Sequence, residues 1–334
     1  MVSAVIFVAT SCVSPLTGFA FWETNLAYEG ESIYNYLQVK NLSDRTILSA
    51  NVLFGVQSVT MKDKGLTGMY YDTALAAPAL ADNANSALIL GMGTGTYARQ
   101  LKQYYPKMNI TGVEIDQKIT DLAGEYFDEP ADIPVTTYDG RAWLAASHDK
   151  YDVIMVDAYQ DITIPFQMSS TEFFTMVREH LNPGGVMVVN MNMISDGQGS
   201  INEALSDTIA SVFGNGNTLT ADVPNTTNRE LFAKKPGSGS EENSMQQASK
   251  ALSLRETTYE RTGSEDLEWY MEEVASRFRK VNEPDSASTI LTDDKAPVEV
   301  LGMHAIDQII ADEAGPYRQI LKDEGFGGLL RAVQ

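Results

Sequence analysis

Three acidic residues stand where apolar runs end. Glu114 closes NITGVE, Asp139 follows IPVTTY, and Asp157 follows YDVIMV. Ahead of them lies GMGTGT, Gly91 to Thr96, between the apolar run SALIL and a helical pattern. Glycines such as Gly91, Gly93 and Gly95 let backbone approach a ligand closely, and the helix that follows offers free N–H groups. Glu114 lies about 20 residues beyond that loop, the spacing at which a carboxylate accepts both hydroxyls of a ribose. Asp139 is placed to accept an adenine amino group, with the Gly140 backbone alongside. Asp157 falls beside the expected ligand. Carboxylates at successive strand ends after a glycine loop point to an adenosine-containing cofactor. Thr96 occupies the place of the third glycine of G-x-G-x-x-G, which weakens hydride transfer. An S-adenosyl sulfonium compound fits better.

The elements that must position these residues form a strand–helix alternation. From about residue 86, apolar runs alternate with helical patterns as far as GGVMVVNMNM, which implies a parallel, doubly wound sheet with right-handed crossovers. In such sheets ligands bind beyond the carboxyl ends of the strands, where strand order reverses. TLTADVP and RELFAKK then read as an antiparallel edge hairpin. We divide the chain into an apolar segment 1–22, a small β domain over 30–64 and a Rossmann-like nucleoside-binding catalytic domain over 65–235. A polar, Gly/Ser-rich flexible loop over 235–250 and a helical C-terminal region over 251–334 complete it.

The chain has 334 residues, with 24 Lys and Arg against 45 Asp and Glu, for a formal charge of −21. A chain of this size buries about three quarters of its unfolded surface and folds without disulfides or metal. The single Cys12 excludes a disulfide framework, and three scattered histidines, His148, His180 and His304, argue against a metal centre. The acidity excludes a phosphate-tracking nucleic-acid surface and suits solubility or a cationic substrate. Residues 1–22 carry no charged side chain. A membrane anchor, the tail of a longer membrane region and an apolar arm packed on the domain are all open readings of that segment. The catalytic domain is then expected in the cytoplasm, attached to a membrane at its N-terminus if the segment anchors it.

ESIYNYLQV, FGVQSVTMKDKGLTGMYYDTALAAPAL, ILGMGTGTYAR, GVEID, YDGRAWL, YDVIMVDAYQDITIP and NPGGVMVVNM occur in the order seen in spermidine synthases. With LTDDKAPVEVLGM near the C-terminus, the chain most resembles the bacterial branch whose catalytic domain follows membrane helices. The resemblance covers about residues 30–310. It implies a class I methyltransferase-like fold behind a small β domain, and aminopropyl transfer from decarboxylated S-adenosylmethionine to a diamine such as putrescine. It places nucleoside contacts on Glu114, Asp139 and Gly140, a cofactor-contacting amide on Asn35, and a further cofactor contact on Pro165. Tyr70, followed by Tyr71 and Asp72, matches the residues lining the amine channel. Asp157 matches the proton acceptor, and a carboxylate in reach of the amine can orient it and take its proton.

Two departures matter. Thr94 stands where the family has the Asp that binds the cofactor ammonium. Gln160 holds the place of a second Asp, and a one-residue insertion would align Asp161 and Pro165 with the family. Methyl transfer from intact S-adenosylmethionine, with the Thr94 hydroxyl beside its carboxylate, and a non-catalytic nucleoside-binding domain therefore remain alternatives. A cationic diamine, no nucleic acid, no metal, membrane contact through residues 1–22 and, as an open alternative, a homodimer complete the expectations. His148 and His180 read as surface or capping residues, Trp143 and the Met residues of VMVVNMNM as core. Asp293 and Asp294 cap a helix or edge a substrate channel.

Overall fold

The computed structural model describes residues 23, 25–51, 56–63, 65–128, 130–159, 164–192, 199–237, 244–286, 288–303 and 322. Segment 1–22 and Asp161 lie outside the described residues. Among the described residues, no helix is long and apolar enough to cross a membrane.

Alternating side chains build the first unit. Strands β1 (Leu26–Glu31), β2 (Tyr36–Asn41), β3 (Arg45–Ala50) and β4 (Ser58–Met61) pair antiparallel in chain order. Leu37, Val39 and Leu48 face inward and pack on Ile119, Leu122 and Phe127 from the helix Gln117–Tyr126 and its C-cap. Ser32–Asn35 turns the chain between β1 and β2, with the Ser32 N–H donating to the Asn35 carbonyl at 2.8 Å.

The second sheet has eight strands. Near-continuous apolar runs give β5 (Ser86–Leu90), β8 (Tyr151–Val156) and β9 (Leu181–Met191), which are covered on both faces, as a parallel sheet requires. They combine with β6 (Asn109–Glu114), β7 (Val135–Thr137), β10 (Thr218–Asp222), β11 (Arg229–Lys234) and β12 (Phe278–Lys280) in the order β12-β10-β11-β9-β8-β5-β6-β7. Strands β9, β8, β5, β6 and β7 run parallel, and β10, β11 and β12 are antiparallel additions. Strand order reverses between β5 and β8, where a ligand crevice opens.

Two C-terminal expectations change. Within 235–250, Ser244–Ala248 is helical and Met245 is fully buried, because its thioether side chain completes the core against the sheet. The C-terminal region contributes a strand as well as helices. Gly263, at φ 65°, ends the helix Ala251–Thr262, Ser264 caps Glu265–Arg277, and the chain then pairs as β12 with β10.

Asp116 joins the two units. One carboxylate oxygen accepts the Lys118 N–H and caps the helix Gln117–Tyr126; the other accepts Ser32 Oγ at 2.5 Å and Asn35 Nδ2 at 2.9 Å. Asp116→Ala should lower stability by about 2–4 kcal/mol through the lost cap and two lost hydrogen bonds. Denaturant titration checks this, and an unchanged midpoint would contradict the joining role.

Candidate active site

The glycine loop touches the end of β8 directly. Gly91, at φ +88°, lies so close to Asp157 that a Cβ there would stand 2.3 Å from its carbonyl oxygen. That close approach, between main chains of adjacent strands, demands glycine. The loop is held from below by Val113, whose carbonyl accepts Gly91 N at 2.9 Å and Met92 N at 3.0 Å. Gly95 then opens the helix Thr96–Tyr104 in left-handed conformation at φ 78°.

Glu114, at the end of β6, is buried and accepts Gly93 N at 2.8 Å and Asp116 N at 3.0 Å. Burial raises its pKa against the lowering effect of those N–H groups. At the end of β7, Asp139 stays half-exposed, with one oxygen accepting Ala142 N at 2.8 Å as the cap of the helix Gly140–Ala146. Pro165 starts the short turn Phe166–Met168, and Met168 comes within van der Waals distance of the space above Gly140. Glu114, Asp139 and Pro165 thus follow or end β6, β7 and β8 on the carboxyl side of the sheet, where open α/β sheets bind ligands. The Asn35 amide is held between Asn51 and Asp116, two residues beyond Glu114.

Asp157 directly follows β8. Its Oδ2 accepts the Tyr70 hydroxyl at 2.6 Å, and its Oδ1 accepts Asn190 Nδ2 at 2.9 Å. Burial, reinforced by the charge of Glu114, pushes its pKa up to about 7 despite both donors. A carboxyl balanced there can take up or release a proton near neutrality. Tyr70 and Tyr71 are buried beside it, with ring centroids 4.0 Å apart.

Two of the residues matched to the amine channel are held by hydrogen bonds within the fold. The Asp72 carboxylate accepts Thr67 N, Thr67 Oγ1, Gly68 N and Gln100 Nε2, so four donors saturate it as a loop anchor. The Tyr71 hydroxyl donates to the Gln57 carbonyl at 2.8 Å and fastens the start of β4 to the helix Tyr70–Ala74. Thr94 is buried, and its Oγ1 has no hydrogen-bond partner among the described residues. Asp293 receives both Arg141 terminal nitrogens, at 2.7 and 2.6 Å, and Ser170 Oγ at 2.5 Å. It therefore clamps the C-terminal segment onto the helix Gly140–Ala146. His180 spans the Met176 and Ser147 carbonyls at a helix end. Asn190 was missing from the sequence reading. Its signal was a lone amide within the apolar run VMVVNM.

Strand order and element order define a class I methyltransferase-like fold. Comparison with known proteins narrows this. The spermine/spermidine synthase domain profile matches residues 69–235, half of the chain. A probable polyamine aminopropyl transferase of Bifidobacterium longum (strain NCC 2705) is 99% identical over 334 residues, covering 100% of this chain and 75% of that protein. A polyamine aminopropyltransferase of Vibrio vulnificus (strain CMCP6) is 28% identical over 209 residues, 60% of this chain and 69% of that protein. The crystal structure of a probable spermidine synthase from Corynebacterium glutamicum ATCC 13032 superposes with a TM-score of 0.56 at 22% identity, over 80% of this chain and 99% of that one. A spermidine synthase solved with the transition state analogue AdoDATO gives 0.53 at 18% identity, over 64% and 75%. The chain belongs to the spermine/spermidine synthase family.

The raised pKa of Asp157 carries a sign that stability can read. Its folded value of about 7 exceeds the unfolded value of about 4, so the folded state binds the extra proton between them. The Asp157 contribution to stability is therefore lost as pH rises from about 4 to about 7. The Tm of Asp157→Asn relative to the original protein should climb across that window and level off above it. A difference independent of pH would show that Asp157 titrates normally.

Proposed function

We propose that this chain transfers an aminopropyl group from decarboxylated S-adenosylmethionine to a diamine such as putrescine, with Asp157 as proton acceptor. The observation that carries this reading is the Asp157 carboxylate, raised to about 7 and gripped by Tyr70 and Asn190 at the reversal of strand order. A diamine is protonated at neutral pH, and one nitrogen must be neutral to attack. Asp157 takes that proton. The nitrogen lone pair then forms the new N–C bond as the C–S bond breaks, and sulfur leaves as neutral methylthioadenosine.

Other residues bind and orient. Glu114 accepts the ribose hydroxyls, exchanging them for the N–H groups it holds in the structure. Asp139 and the Gly140 backbone take the adenine edge, Pro165 closes on the base, and the backbone of Gly91, Gly93 and Gly95 lets the sulfonium end approach Asp157. Asn35 closes the rim, and Tyr70 and Tyr71 give the amine an aromatic wall, where a cation over a ring face gains about 0.5–2 kcal/mol.

Thr94 bears on the choice of donor. The loop GMGTGT has no basic side chain, and Arg99, one turn along, donates to the Phe127 carbonyl at 2.7 Å and to Thr60 Oγ1 at 2.6 Å. The carboxylate of intact S-adenosylmethionine would be buried there without a cation, a costly arrangement. The ammonium of the decarboxylated compound instead finds the Thr94 hydroxyl oxygen as an acceptor. This favours aminopropyl over methyl transfer.

Incubation with putrescine and either donor tests the reading. Spermidine and methylthioadenosine should form from the decarboxylated donor only, and Asp157→Asn should lower kcat by about 10²–10⁴-fold. S-adenosylhomocysteine formed from the intact donor would instead establish methyl transfer.

A further inference from the structure

Among the described residues, Glu230 is a carboxylate without a hydrogen-bond partner. It sits within β11, is fully buried, and neither Oε1 nor Oε2 has a hydrogen bond. Buried polar groups are almost always satisfied, and an unsatisfied one calls for a specific cause. Here the cost is larger, because burial and the charge of Asp157 both push the Glu230 pKa well above the usual carboxylate range.

The register shows where Glu230 faces. It stands directly opposite Asn190 in the antiparallel β11–β9 pair, so both side chains leave the same face of the sheet. Asn190 donates to Asp157 on that face, and its own oxygen accepts Asn228 Nδ2 at 2.8 Å. Asp157 and Glu230 thus flank Asn190, about two strand spacings of ~4.8 Å apart at the backbone. Tyr97 and Tyr159 both feel the charge of Glu230. Their hydroxyls are engaged elsewhere: Tyr97 donates to the Ala74 carbonyl at 3.0 Å, and Tyr159 donates to the Asn190 carbonyl and accepts Asn192 N at 3.0 Å. Among the described residues, no Lys or Arg pairs with Glu230. What surrounds it is a second carboxylate, an amide and aromatic rings, the chemistry of an organic ammonium site.

The geometry points to Glu230 as the carboxylate that receives the second, non-reacting ammonium of the acceptor amine. Asp157 serves the reacting nitrogen, Glu230 the far one, and the site thereby selects acceptors with two cationic ends. This inference rests on the aminopropyl-transfer reading above and assigns the amine end of that same site.

The test compares putrescine with n-butylamine, which lacks only the second amine. Binding is measured by calorimetry and turnover with decarboxylated S-adenosylmethionine, for the original protein, Glu230→Gln and Glu230→Leu. The original protein should bind putrescine more tightly. Both variants should lose roughly 10–100-fold of putrescine affinity, the range for a hydrogen bond to a charged group, and keep their affinity for butylamine. Glu230→Leu should also raise Tm, because a buried unpaired carboxyl is replaced by an apolar side chain. A putrescine preference absent from the original protein, or unchanged in both variants, overturns the role of Glu230 even if spermidine is made. A preference that depends on Glu230 without any turnover supports the role and overturns the aminopropyl-transfer reading instead.

Discussion

The carboxylate of Asp157 is the point on which the site depends. It follows β8 beside the glycine loop, and its charge is controlled by four things: burial, the hydroxyl of Tyr70, the amide of Asn190, and the charge of Glu114. Each comes from a different part of the chain. The helix Tyr70–Ala74 supplies the hydroxyl, and β9 supplies the amide. Gly91 lets the neighbouring strand turn close enough to shut out water. Burial wins over the two donors and leaves a base poised near neutrality, which suits transfer of a proton from an ammonium.

The surrounding fold can be understood as support for that arrangement. The reversal of strand order between β5 and β8 opens the crevice. Asp116 pins the N-terminal sheet against it, and Asp72 fixes the loop that leads into Tyr70. Asp293 draws the C-terminal segment onto the helix that Asp139 caps. Acidic residues dominate this chain, and several of those that matter are placed to satisfy backbone N–H groups and neighbouring side chains as well as any ligand.

How much of this could be read from sequence follows from the range of each interaction. Glu114, Asp139 and Asp157 were legible because apolar runs mark where strands stop, and strand ends line the crevice. The parallel sheet and the edge hairpin were legible for the same reason. The anchoring of Asp72 was not legible because one of its four donors, Gln100, arrives from a helix 28 residues away. Asn190 and Glu230 were missed because polar residues inside strands acquire meaning only from register, which pairs them face to face across β9 and β11. Ser244–Ala248 looked polar and flexible because Met245 finds its core only after the sheet has formed.

The most direct test of the central claim is a carboxyl NMR titration of Asp157 in the unliganded protein, set beside the pH dependence of turnover. The account predicts a midpoint of about 7 for Asp157 and an acid limb of kcat that falls as this group is protonated. An Asp157 midpoint near the ordinary value of about 4, with turnover undiminished between pH about 5 and about 7, would contradict it.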